Sequence, residues 1–151
     1  MEAQRIIDGL LRENPLDTLL KAVDAPVVMA TIQLEGGHPD EALRTLEPIR
    51  PFEFGTHAYF YPNYLRARIY MKLQKPRDAA SEFEAILEHR GVTLFDPTWK
   101  LSQLGLARAY TLQGDTAQAK TAYQDFFALW KGADPDIPIL KEAKAEYAKL
   151  Q

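Results

Sequence analysis

Residues 64–87 read YLRARIYMKLQKPRDAASEFEAIL, two apolar patterns of helical period on either side of a proline. Ala67 and Tyr70 are three apart; Ala79, Phe83 and Ile86 follow at intervals of four and three, so each set shares one helical face. The same spacing recurs without a gap on both sides. Ala30-x2-Gln33-x8-Ala42-x3-Leu46-x2-Ile49 precedes it, and Ala107-x2-Tyr110-x8-Ala119-x3-Tyr123-x2-Phe126 follows. The copies are offset by 37 and then 40 residues. That is a unit of about 34 residues, a length used by stacked helical pairs, with the extra residues falling between units.

Each position has a physical job. The first Ala is where two antiparallel helices cross, and a small side chain lets their backbones approach. The residue three further on stays on the same face and fills the space beside it. The second Ala faces the first from the partner helix, and the large residues four and seven beyond it form a stripe for the next pair. One pair cannot bury that stripe alone, which is why such units stack.

The punctuation agrees. Gly36-Gly37-His38-Pro39-Asp40 and Gln113-Gly114-Asp115 stop one helix and start another, and Lys75-Pro76 does so in the middle copy. Between units, Glu47 to Gly55 contains Pro48 and Pro51 and is not expected to form a continuous helix. Gly91 to Pro97 is a second apolar loop, expected to tuck Leu94 or Phe95 against the stack before Asp96-Pro97-Thr98 opens the next helix. Asp136 is expected to cap a last amphipathic helix with Ile139, Leu140, Ala143, Tyr147 and Leu150 on one side. At the other end, Ile6, Ile7, Leu10 and Leu11 give a helix stopping at Asn14-Pro15. A longer helix runs from about Leu16 to Glu35, with Asp17-Thr18 near its start and a kink at Pro26.

The reading is therefore all-α, a right-handed superhelix of antiparallel pairs with about eight helices. A half unit and the start of the long helix occupy 1–22. Repeats occupy 23–55, 56–97 and 98–135, and a capping helix occupies 136–151. The half unit suggests that the chain begins inside a longer array.

Composition narrows the function classes. With 18 basic and 21 acidic residues the formal charge is −3, too weak a field for a nucleic-acid footprint across the domain. There are no cysteines, hence no disulfide or thiolate metal site, and the cytoplasm is favoured. The N-terminal stretch carries Glu2 and Asp8 and does not read as a signal peptide; no apolar run is long enough to span a membrane. His38, His57 and His89 fall in a turn, a loop and a helix end without metal-ligand spacing. Glu82 and Glu84 lie on different helix faces and read as solvated. With no phosphate loop or nucleophile elbow either, no catalytic, cofactor or metal residue is assigned.

The chain resembles the tetratricopeptide repeat family at Ala67, Tyr70, Ala79 and Phe83, and at Leu106, Ala107, Tyr110, Gly114, Ala119 and Tyr123. It departs from that pattern at Gln33 and in lacking the early Trp of each unit. Residues 105–110, 122–126, 129–131 and 133–140 further resemble the C-terminal repeat domain of large bacterial proteins. In those proteins the repeats follow a Ser/Thr kinase or a winged-helix domain. The resemblance implies a non-catalytic module that binds a protein or peptide, at the docking or sensory end of a signalling protein. The alternative is self-association, as a homodimer, through the helix carrying Ile6, Ile7, Leu10 and Leu11.

In that architecture the first helix of each pair lines a groove. Matching positions are Val27 and Thr31 in the first unit, Tyr61, Tyr64, Arg68 and Lys72 in the second, and Leu104, Arg108 and Leu112 in the third. Arg68 and Arg108 are equivalent. Either they receive a peptide carboxylate or phosphate, or they pair with acidic side chains of the chain itself or face solvent. The family's Lys and Asn clamp for a chain-terminal carboxylate is not matched, since Val27, Thr31, Leu65 and Leu101 stand there. Tyr59, Phe60, Tyr61 and Tyr64 are either a partner surface or packing for the long connection. Trp99 and Trp130 read as packing between units.

Overall fold

Proline placement sets where most helices begin. The computed structural model describes residues 2–53, 55, 58, 60–89, 91 and 97–151. Among them are eight α-helices: α1 Glu2–Glu13, α2 Ala25–Glu35, α3 Pro39–Leu46, α4 Tyr61–Lys72, α5 Pro76–Glu88, α6 Pro97–Gln113, α7 Thr116–Leu129 and α8 Pro138–Ala148. Five of them open with Pro39, Pro62, Pro76, Pro97 or Pro138 in the first turn, where the missing N–H leaves nothing unpaired. α2 packs on α3, α4 on α5 and α6 on α7. The pairs stack through α3 on α4 and α5 on α6, while α2, α4 and α6 touch in one layer.

The crossing alanines are where the spacing places them. Ala30, Ala42, Ala67, Ala79, Ala107 and Ala119 have no exposed surface, and Leu46, Phe83, Tyr123, Ile49, Ile86 and Phe126 are buried beside them. The turns repeat as well. Gly37, Gln74 and Gly114 hold φ of 84°, 56° and 78° at equivalent places. In each, the next N–H reaches back five residues, from His38 to Gln33, Lys75 to Tyr70 and Asp115 to Tyr110. Gln33, the departure from the aromatic pattern, accepts a hydrogen bond from Thr45 Oγ1 on α3 at 2.8 Å.

Several details differ from the expectations. The long helix starts with Asp17 Oδ1 accepting the Leu20 N–H at 2.9 Å. Next to Pro26 it widens into a π turn, Leu20–Asp24, with Ala25 N–H bonded to Leu20 O. A wider turn relieves the clash between the proline ring and the carbonyl four residues back. The segment after α3 still coils: Glu47–Phe52 is a 3-10 helix with Pro51 inside it, burying Ile49. Its prolines end the α-helix without ending the coil. Asp136 does not cap α8. Pro138 fixes the first turn, Ile137 becomes the extended residue before it, and Asp136 meets Lys141 Nζ at 2.8 Å.

Trp99 Nε1 donates to Leu87 O at 3.4 Å, joining α6 to α5, and Trp130 packs on Phe126 with ring centroids 5.5 Å apart. Phe60 is buried beside His89. Tyr59, His57 and the Leu94, Phe95 and Asp96 of the second loop lie outside the described residues. No helix among the described residues is long and apolar enough to cross a membrane, and among them no three His, Cys, Asp or Glu side chains form a metal-holding group.

Candidate partner-binding cleft

A cleft of about 370 Å³ opens between α4, α6 and α8. Tyr64, Arg68 and Lys72 stand on α4 one turn apart, as side chains four residues apart must. Leu101, Leu104 and Arg108 face them from α6, and Ile139 of α8 closes one side. Phe83 lies at the bottom because Gly105 has no side chain: a Cβ there would come within 2.3 Å of Phe83 Cζ. The structure thus brings together Tyr64, Arg68, Lys72, Leu104 and Arg108 from the groove positions. Tyr61 stands at the edge, 38% exposed, its ring 6.4 Å from that of Tyr64. Leu112 lines an adjoining hollow of about 340 Å³ with Tyr123 and Leu150; Met71 and Arg108 line both spaces. Val27 and Thr31 line neither; Thr31 Oγ1 donates to Val27 O at 2.8 Å. The aromatic stretch splits, with Phe60 in the packing and Tyr61 and Tyr64 on the cleft.

The two equivalent arginines are held differently. Arg108 forks onto Glu146, Nε to Oε2 and Nη2 to Oε1 at 2.9 Å each, with Glu142 3.5 Å away. Tyr123 Oη donates to the same Glu146 at 2.8 Å. Burial works against the Arg108 charge, but the Glu146 hydrogen bond and charge overcome it and raise its pKa. Among the described residues Arg68 has one ion pair, Nη2 to Glu35 Oε1 at 2.9 Å, between side chains 40% and 65% exposed. Burial raises the Tyr64 hydroxyl pKa, and Arg68 and Arg108 both oppose the shift, which places the tyrosine between them.

A second polar cluster lies under α4. Arg66 is fully buried. Its Nε donates to Glu82 Oε1 at 2.7 Å and its Nη2 to Glu53. Asn63 Nδ2 donates to Glu82 at 3.0 Å and Glu53 at 3.2 Å. Glu82 is therefore not solvated: its side chain is 12% exposed, because the buried guanidinium needs a carboxylate partner. Glu84 is half-buried and accepts the Tyr110 hydroxyl at 2.6 Å. Arg66 was missed by sequence reasoning, although one signal existed: it stands where the other copies have Met29 and Leu106.

The chain matches the tetratricopeptide repeat family over residues 27–48, and again over residues 101–130. No curated protein and no solved structure matches it. Both matched segments fall on helix pairs of this stack, α2 with α3 and α6 with α7, so the likeness to tetratricopeptide repeats lies on the helical hairpins themselves.

Proposed function

We propose that the chain is a docking module that holds a segment of a partner protein in the α4–α6–α8 cleft. Tetratricopeptide repeats generally mediate protein–protein interaction and are typically non-catalytic. The observation that carries the reading is the cleft itself, an open trough of mixed polarity with Arg68 and Lys72 along the first-helix layer and Leu101 and Ile139 facing them. The likeness of residues 105–140 to the repeat domains of bacterial kinases and winged-helix regulators supports a place at the docking end of a cytoplasmic signalling protein. A photo-crosslinking residue in place of Tyr61 or Leu112 should capture a protein in cells, and one in place of Ser81 on α5 should not. Capture from Ser81 alone would contradict it.

A second reading, self-association through α1, is favoured by the exposure of Ile6 (57%) and Leu10 (40%) on that helix. Light scattering over a concentration series decides it: a rising mass that Ile6→Glu abolishes supports a homodimer, and a constant monomer mass discards it.

A further inference from the structure

We propose, resting on the docking reading above, that the segment taken up by the cleft carries an acidic side chain next to a large apolar one. The carboxylate is anchored by Arg68 and Lys72, and the apolar side chain sits between Tyr64, Leu101 and Ile139, above the buried Leu104. Arg108 is a positioning residue that ties α8 to α6.

The repeat equivalence of Arg68 and Arg108 suggests a symmetric pair of anchors, but their surroundings break the symmetry. Arg108 is forked, partly buried and shares Glu146 with Tyr123, so freeing it would strand Glu146 and loosen α8. Arg68 is half-buried and Glu35 exposed, and a pair this open to solvent exchanges readily with water and salt. Lys72, exposed one turn along α4, forms no ion pair among the described residues.

Charge counting then selects the ligand. At the α4 edge of the cleft Arg68 and Lys72 against Glu35 leave one positive charge, which matches one carboxylate, whereas Arg108 on the α6 side is already offset by Glu146 and Glu142. A phosphate brings about −1.5 to −2 and would need Arg108 as well. Below the cations the walls are Tyr64, Leu101, Leu104, Ile139 and the Phe83 ring reached past Gly105. The 370 Å³ there corresponds to roughly a dozen waters at about 30 Å³ each, room for an apolar side chain together with its neighbours along a bound segment. Met71 and Arg108 line both this cleft and the adjoining hollow, so the trough continues beyond the anchor. A chain running through it presents a side-chain carboxylate; a chain ending there would leave the hollow unused.

The test is affinity selection with the full chain on three short-peptide libraries: N-acetylated and C-amidated, free at the C-terminus, and containing phosphoserine. The capped library should enrich Asp or Glu adjacent to Leu, Ile or Phe. A resynthesised binder should lose about tenfold or more in Kd by fluorescence anisotropy when its acid becomes the amide. Arg68→Ala with Lys72→Ala should cost a similar factor with the circular dichroism unchanged, and Leu101→Ala should weaken binding without altering its salt dependence. Equal binding of the amide peptide, equal binding by the Arg68/Lys72 variant, or enrichment only among free C-termini or phosphoserine would overturn the assignment. So would the absence of any binder. In each of these cases, protein capture from Tyr61 and Leu112 would still uphold docking itself.

Discussion

The second and third helix pairs share one register, yet they fill it with opposite chemistry. Where the third pair sets Leu106 beside Ala122, the second sets Arg66 beside Glu82, with Glu53 drawn in from the preceding connection. At the stacking stripe the second pair has Phe83 against the bare backbone of Gly105, whereas the third has Tyr123 reaching Glu146 of α8. The repeat thus fixes where helices cross and leaves open what bridges them. In the second pair the bridge is ionic and staples a connection; in the third it is apolar at that place, with Gln103 reaching Ala122 O and Asp125 at 3.5 Å beside it and Tyr123 tied to Glu146 of the cap.

The contrast is sharpest at Arg66. Removing it strands two carboxylates in a site closed to water, so Arg66→Ala should cost about 3–5 kcal/mol in urea unfolding. Replacing the whole cluster by apolar side chains, Arg66→Leu with Glu82→Ala, Glu53→Leu and Asn63→Ala so that no buried amide is left without an acceptor, should recover most of that loss. If Arg66→Ala alone is nearly neutral, the staple is not what closes the second pair.

At Gly105, alanine is the better helix former by about 1 kcal/mol, but its methyl would enter the Phe83 ring. Gly105→Ala should therefore destabilise by about 1–3 kcal/mol, and Phe83→Leu should relieve part of it in a double-mutant cycle. Additive effects would mean that the two residues do not share the space.

Tyr110 and Tyr123 carry the comparison into pH. Burial, then a hydrogen bond and the negative charge of Glu84 or Glu146, pushes each hydroxyl up to about 12. Their unfolded value is about 10. The folded chain holds these protons more tightly, so their stabilising contribution is complete below about pH 10 and is lost as pH rises toward 12. Tyr110→Phe should cost about 1 kcal/mol at neutral pH and flatten the alkaline fall of the melting temperature. An unchanged alkaline slope would contradict the Glu84 pairing.

The smallest effect belongs to the turns. Gln74 carries a left-handed backbone where the other copies use Gly37 and Gly114. Gln74→Gly should stabilise by about 0.5 kcal/mol, the gain being reduced by the greater freedom of glycine in the unfolded chain. A loss instead would show that the Gln74 side chain contributes more than its backbone costs.

The repeat frame was legible because it rests on volume at fixed spacing: Ala30 to Ala119 at the crossings, and Leu46 to Phe126 along the stripe, could be read without knowing any long-range contact. The Arg66 staple was not, because it depends on Glu53 arriving from a connection whose path no local pattern dictates. Charged residues are ordinarily exposed, so Glu82 reads as solvated, and nothing in the local pattern singles out Arg66 as its partner. The cleft was half legible. Helical spacing placed Tyr64, Arg68 and Lys72 on one face, with Leu104 and Arg108 opposite. That Arg108 is taken by Glu146 required the placement of α8, and the sequence marks only that helix's apolar side.

The account rests on the first-helix face being the binding face. Methyl NMR of the chain titrated with a selected capped peptide tests this directly. The methyls of Leu101 and Ile139 should shift together with one affinity, while those of Leu46 and Ile86 in the packed interior stay unmoved. Shifts confined to Ile6, Ile7, Leu10 and Leu11 on α1, with the cleft methyls silent, would contradict it.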